Sequence, residues 1–204
     1  MFHDVAQNTD AWLELRSGKV TGSAVAKVMA NYGKAFGDPA KKYAVDLAVT
    51  LVTGKYSTDN YSNDHMARGH EQEPIARMFY EDETFCSVDN GGFFDNGFTG
   101  DSPDGLIGND GVLEIKSVIA SVHYERFRKE KYDIAYHWQL IFHLRETKRD
   151  WVDFASFCSE FPEDKKLFID RLHTDDFQSD FEKMAIRLEE FEELVMKIKK
   201  DIEK

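Results

Sequence analysis

Gly100-Asp101-Ser102-Pro103-Asp104-Gly105-Leu106-Ile107-Gly108-Asn109-Asp110-Gly111-Val112-Leu113-Glu114-Ile115-Lys116 sets two short apolar runs on either side of a Gly-Asn-Asp-Gly turn. That arrangement predicts an antiparallel hairpin. Side chains alternate along a strand, so Glu114 and Lys116 project from one face while Ile115 points to the other. Pairing across the turn returns Glu114 to the neighbourhood of Asp104, which stands in the Pro-Asp-Gly turn entering the hairpin. Two carboxylates converging beside an ammonium make a site for a hard cation with a lysine at its rim. Mg²⁺ needs only one or two carboxylates because it keeps several waters. The lysine can orient or deprotonate an attacking water and offset charge developing on a phosphate. A Glu and a Lys two apart on a strand are, alone, most often a solvated strand face. Asp104 in the turn raises the pair above that.

Outward from the hairpin, the chain reads as helices, then strands, then helix, strands and helix, a mixed α/β (α+β) order. Residues 10–16 predict a short helix stopped near Gly18. A second starts at Thr21 to Ser23, residues suited to capping, and carries Val25, Val28 and Met29. Asp38-Pro39 opens a third, with proline in its favoured first turn, running to Gly54. A fourth covers 63–83, and Pro74 inside it predicts a kink or a fresh start. Residues 121–130 and 133–146 read as helical, and 151–157 and 167–172 as strands. Phe181, Ala185, Leu188, Phe191, Leu194 and Ile198 recur at helical spacing, as in a core-facing amphipathic helix.

A length of 204 residues suits one globular domain. An apolar content of 42%, with 16 Phe and 8 Tyr, excludes a disordered chain. No apolar run is long enough to span a membrane, and the start, MFHDVAQNTD, lacks the pattern of a secretory signal. Cys86 and Cys158 are too few for a disulfide framework or a four-cysteine cluster, and two reduced thiols fit a cytoplasmic setting. His65 and His70, and His137 and His143, are spaced so that neither pair shares a helix face well, which argues against a histidine metal site. The net charge of −12 seems to oppose nucleic-acid binding, yet residues 16–42 carry a local balance of +5. One basic strip on an acidic body can bind DNA locally.

The order Asp104, then Glu114-x-Lys116, resembles the PD-(D/E)xK nucleases, and the wider chain resembles one branch, the lambda-type phage exonucleases or YqaJ-type viral recombinase family. Four blocks carry the resemblance: Trp12-Leu-Glu-Leu-Arg16 through Thr21-Gly-Ser23; Arg68-Gly-His-Glu-Gln-Glu73-Pro-Ile-Ala-Arg77; Ser102-Pro-Asp104-Gly through Glu114-Ile-Lys116; and Ala135-Tyr-His-Trp-Gln139. It implies one nuclease domain over residues 1–204, with a restriction-endonuclease-like core, a central mixed β-sheet flanked by helices. It implies a Mg²⁺-dependent 5′-to-3′ exonuclease on linear double-stranded DNA, using two ions that Mn²⁺ can replace. It further implies a homotrimeric ring around the DNA, and a 3′ single-stranded tail passed to a single-strand annealing protein in phage-type recombination in the cytoplasm of a bacterial host. Residue by residue, Asp104, Glu114 and the Ile115 carbonyl match metal ligands and Lys116 the catalytic lysine. Glu73 matches an acid near the metals and attacking water, and Gln139 a glutamine that positions the site. Arg16, Ser23 and Ser102 match the grip on the terminal 5′ phosphate, and Met66 an apolar residue that helps part the strands. The family's basic residue after the Ser23 helix has no clean counterpart; Lys34 is nearest. Iron-sulfur relatives of this core carry four cysteines, and two cysteines here exclude that version.

Two other classes compete. An endonuclease of the same superfamily has no use for the end-recognition set Arg16, Ser23 and Ser102. A non-catalytic DNA-binding protein on this fold has no reason to keep the costly carboxylate pair Asp104 and Glu114.

Overall fold

The computed structural model describes residues 1–55 and 64–204, apart from the side chains of 64–67 and 70. The predicted hairpin pairs β5 (Gly105–Ile107) with β6 (Gly111–Ser117), in the register Gly105 to Leu113, Leu106 to Val112 and Ile107 to Gly111. Asp104 therefore sits one residue beyond the ladder, opposite Glu114. The hairpin lies inside a five-stranded mixed sheet of order β2-β5-β6-β7-β8, completed by β2 (Val88–Asn90), β7 (Trp151–Phe157) and β8 (Leu167–His173). Among the described residues, the strands of this sheet pair in parallel only at β6 and β7. A parallel pair needs a long crossover. Here it is α5 (Ala120–Lys129), a 3-10 turn at residues 134–136, and α6 (His137–Thr147).

Alternation along β6 sorts its side chains to two layers. Leu113 and Ile115 join Ala155, Phe157 and Leu167 against Ala76 and Tyr80 of α4 (Asp64–Thr84). Val112 joins Val152, Phe154 and Leu172 against Leu140 and Leu144 of α6. Glu114 shares its parity with Val112, and so is delivered to the α6 side. A second layer packs α2 (Gly22–Met29), α3 (Asp38–Thr53) and α7 (Gln178–Ile202) on α6, through Val25, Leu47, Phe142, Leu188 and Phe191.

Several helix ends follow local chemistry, although Thr21 at the start of α2 makes no side-chain capping bond. Thr9 caps α1 (Asp10–Arg16) by accepting from the Trp12 N–H, α3 carries proline in its first turn, and Gly54 ends α3 at a φ of 65°. α4 is one helix through Pro74, so no fresh start occurs there. The segment before the hairpin builds a separate three-stranded sheet of order β1-β3-β4, from β1 (Phe2–His3), β3 (Phe93–Asn96) and β4 (Thr99–Asp101). Strands of two to four residues show no readable periodicity, so tertiary pairing alone defines them. Gly91 is required at their junction, since a Cβ there would fall 1.7 Å from the Pro103 carbonyl oxygen.

Two buried polar clusters fasten the elements that carry the site. Tyr80 of α4 donates to Asp153 Oδ2 at 2.5 Å, and Arg171 of β8 grips both Asp153 oxygens at 2.7 and 2.8 Å. Glu73 lies two helical turns before Tyr80, hence on the same face of α4. On α7, Arg187 is 2% exposed. It donates to the carbonyls of Val28, Ala30 and Lys34 and lies 3.6 Å over the Phe36 ring. The Val28 and Ala30 carbonyls lie at the C-terminal end of α2, where a helix supplies no donor of its own, and Lys34 lies in the segment after it. Arg187→Met is expected to cost about 3 to 5 kcal/mol, because several buried acceptors lose their donors together. Urea unfolding checks this, and a loss below about 1 kcal/mol would show that the carbonyls find other partners.

The basic strip is weaker in three dimensions than in sequence. Lys19 is paired with Asp95 at 2.8 Å, and the Lys27 ammonium lies 5.5 Å from the centre of the Tyr43 ring.

Candidate active site

One cavity of about 690 Å³ gathers Arg16, Ser23, Glu73, Ser102, Asp104, Glu114, Ile115, Lys116 and Gln139. Residues from all four sequence blocks thus meet on one wall-lined space. Trp12, Asp101, Tyr136 and His143 line it too.

Glu114 is its centre. It is 2% exposed. Its Oε1 accepts from Gln139 Nε2 at 2.6 Å and from the Lys116 ammonium, and its Oε2 faces His143 Nε2 at 2.9 Å. Burial pushes its carboxyl pKa up, but Lys116 and His143 outweigh burial and hold it at about 2. Asp104 is half-buried and accepts the Ile115 N–H at 2.7 Å, tying the turn to β6. Its pKa is raised well above the carboxylate range by burial, then by Glu114 and Glu73, with Lys116 opposing. Glu73 is thus close enough to be felt at Asp104. Burial works to lower the Lys116 pKa, but Glu114 and Asp104 raise it above the ordinary lysine value. The Lys116 ammonium also lies 4.9 Å from the centre of the Tyr136 ring.

His143 and Asp101 were not singled out from sequence. His143 Nδ1 lies 2.6 Å from Asp101 Oδ2, so the ring bridges two carboxylates. Burial alone would lower its pKa, yet Asp101 and Glu114 carry it up to about 10. One signal was available: His143 follows Gln139 by four residues, one helical turn, and shares its face. The spacing of histidines to one another was the wrong question, because the partners are acids.

The three residues expected to grip a terminal phosphate also line this cavity. Arg16 stacks its guanidinium 4.1 Å over Trp12, and its hydrogen bond to Thr21 Oγ1 is long at 3.5 Å. Among the described residues its buried Nε has no partner. Ser23 is exposed in the first turn of α2, where free N–H groups favour an anion. Ser102 lines the cavity with its hydroxyl already engaged. Its hydroxyl donates to the Gly92 carbonyl at 2.7 Å and accepts from Trp12 Nε1 at 2.8 Å. Contact with a phosphate requires it to exchange the first bond, and its resting work is to hold Trp12. Lys34 does not line the cavity, and the Met66 side chain lies outside the described residues.

Among the described residues no group of three or more His, Cys, Asp or Glu is arranged to hold a metal ion. The donor set still fits a hard divalent cation. Asp104 and Glu114 are oxygen donors crowded enough to raise one pKa strongly, which a bound cation relieves. Two carboxylates with waters suffice for Mg²⁺. No helix among the described residues is long and apolar enough to cross a membrane.

The family model of the YqaJ-like viral recombinase domain matches residues 11–150. A comparison with curated proteins finds no match. Among solved structures, the alkaline exonuclease LHK-Exo from Laribacter hongkongensis is 31% identical, with a TM-score of 0.79 over 95% of this chain and 98% of that one. The same exonuclease in complex with dAMP gives 32% and 0.80 over the same shares. A phage-related exonuclease from Haemophilus somnus 129PT gives a TM-score of 0.74 over 93% of this chain and 99% of that one. Its 12% identity bears on the fold alone.

Proposed function

The chain belongs to the YqaJ-like viral recombinase domain family, whose structural relatives include alkaline exonucleases, and from that premise we propose a Mg²⁺-dependent 5′-to-3′ exonuclease on linear double-stranded DNA. The observation that carries this reading is one cavity holding both the Asp104, Glu114, Lys116 cluster and the Arg16, Ser23 pair. The first suits phosphodiester hydrolysis and the second suits a chain end.

In this reading Asp104, Glu114 and the Ile115 carbonyl hold the metal. A Mg²⁺ or Mn²⁺ ion held by these residues would supply Lewis-acid polarisation of the phosphate and activation of water. Gln139 fixes Glu114, and Glu73 receives or orients the attacking water's proton. Lys116 faces charge developing on the scissile phosphate. Arg16, pre-oriented by stacking on Trp12, grips the terminal phosphate by paired N–H bonds, beside the first turn of α2 and Ser23. Ser102 joins them by turning its hydroxyl, and Met66 helps part the strands. The same reading includes a homotrimeric ring around the duplex. It also includes transfer of the 3′ tail to a single-strand annealing protein, in the bacterial cytoplasm during phage-type recombination. Family membership is the support for these last features.

The test uses linear duplex phosphorylated at the 5′ end of one strand only. The phosphorylated strand is expected to shorten first, by roughly 10- to 100-fold over a 5′-hydroxyl end, since one charge-assisted contact is worth about 1.5 to 3 kcal/mol. Arg16→Ala should shrink that preference while leaving the metal site intact. All rates are compared at one salt concentration, because phosphate contacts weaken with salt. Equal rates on both ends, or efficient cutting of closed circular duplex, would point to an endonuclease instead.

A further inference from the structure

Taking Glu114 as a metal ligand, as proposed above, we infer that His143 and Asp101 are positioning residues that hold the Glu114 carboxylate in one orientation, Asp101 acting through the His143 ring. Three elements distant in sequence meet here: Asp101 ends β4, His143 lies on α6 and Glu114 on β6. Asp101 and His143 stand in the cavity wall but are each 1% exposed, which leaves them almost no surface to offer a substrate. His143 Nδ1 is fixed on Asp101 Oδ2 at 2.6 Å and its Nε2 on Glu114 Oε2 at 2.9 Å.

The division of labour at Glu114 gives this bridge its meaning. Lys116 and Gln139 both engage Oε1, whereas Oε2 faces His143 Nε2. A carboxylate held at one oxygen can rotate about its terminal bond, and one held at both cannot. Lys116 is 24% exposed on its side chain and can move toward substrate; the buried ring stays. The far end of the bridge abuts the end-binding helix. A Cβ on Gly22 would lie 2.8 Å from Asp101 Oδ1 and 3.4 Å from His143 Cε1, and Ser23 is the next residue. Outer partners of this kind commonly set metal affinity within about 10- to 100-fold.

The experiment measures Mg²⁺ binding to the full chain by calorimetry without DNA, and the Mg²⁺ concentration that half-saturates cleavage. His143→Gln can reach one carboxylate but not both. It is expected to weaken Mg²⁺ binding by about 10- to 100-fold, to raise the half-saturating concentration equally, and to recover most of its rate at saturating Mg²⁺. Asp101→Asn keeps the volume and an acceptor, and should fall near the low end of that range, about tenfold. The double variant should be no worse than His143→Gln alone, because Asp101 acts through the ring. Should His143→Gln fail to fold, Asp101→Asn carries the comparison. Unchanged Mg²⁺ affinity, a lost saturated rate at unchanged affinity, or additive losses in the double variant would each overturn the positioning role. Glu114→Gln is the control: if it binds Mg²⁺ normally, the metal-ligand reading itself fails. If it loses binding while folded His143→Gln does not, only the positioning role fails.

Discussion

Asp104→Asn is expected to abolish cleavage while leaving the protein folded. Asparagine keeps an acceptor for the Ile115 N–H that Asp104 holds at 2.7 Å, so the turn stays tied to β6. What it removes is one of the two charges proposed to hold the cation. Several kcal/mol of transition-state stabilisation depend on that cation, which sets the expected loss at about 10³-fold or more. The fold gains from the change. Burial, Glu114 and Glu73 raise the Asp104 pKa. A carboxyl whose folded pKa lies above its unfolded value stabilises the fold at low pH and loses that contribution as pH rises through the folded pKa. In metal-free protein at neutral pH, Asp104→Asn should therefore melt no lower than the wild type, and Mg²⁺ should stabilise the wild type more than the variant. Thermal melts with and without Mg²⁺, beside a nuclease assay, read both arms. Near-normal cleavage by folded Asp104→Asn would remove Asp104 from the metal site.

Lys116→Ala is expected to lose on the order of 10²-fold or more in single-turnover rate if the ammonium stabilises charge in the transition state. The structure narrows which role it plays. Glu114 and Asp104 hold the Lys116 pKa above its ordinary value, so in the metal-free protein the side chain is an ammonium at neutral pH. It is then a donor and a positive charge rather than a base. Its position between the Glu114 carboxylate and the Tyr136 ring keeps it aimed into the cavity. Removing it leaves Gln139 and His143 on Glu114, so Mg²⁺ and DNA should still bind. A variant that lost DNA affinity but kept its single-turnover rate would make Lys116 a phosphate anchor.

Much of this site was legible from the residues. The spacing from Asp104 to Glu114 and Lys116 is written inside one hairpin, where register follows from the turn and alternation follows from the pleat. Helix periods and stop signals were legible for the same reason: each depends on residues within a turn or two of one another. The sequence blocks also named Gln139, and the structure sets its amide 2.6 Å from Glu114 Oε1.

Other features depend on packing across long separations. Asp101 and His143 are 42 residues apart and Glu114 and His143 are 29 apart, with no local pattern linking them. They meet because β6 and β7 pair in parallel, which forces the chain over one face of the sheet and lays α6 beside Glu114. Arg187 reads in sequence as one charge on an amphipathic helix, yet it finds carbonyls at the end of α2 and in the segment after it, from 153 to 159 positions away. Ser102 was placed in the cavity by its motif, but the direction of its proton is set by Gly92 and Trp12, which two separate elements bring to it. Composition and spacing determined which groups the chain possesses and which neighbours share a face. Only tertiary packing decided which buried acid each donor meets, because a hydrogen bond reaches about 3 Å while the residues that make it lie anywhere along the chain.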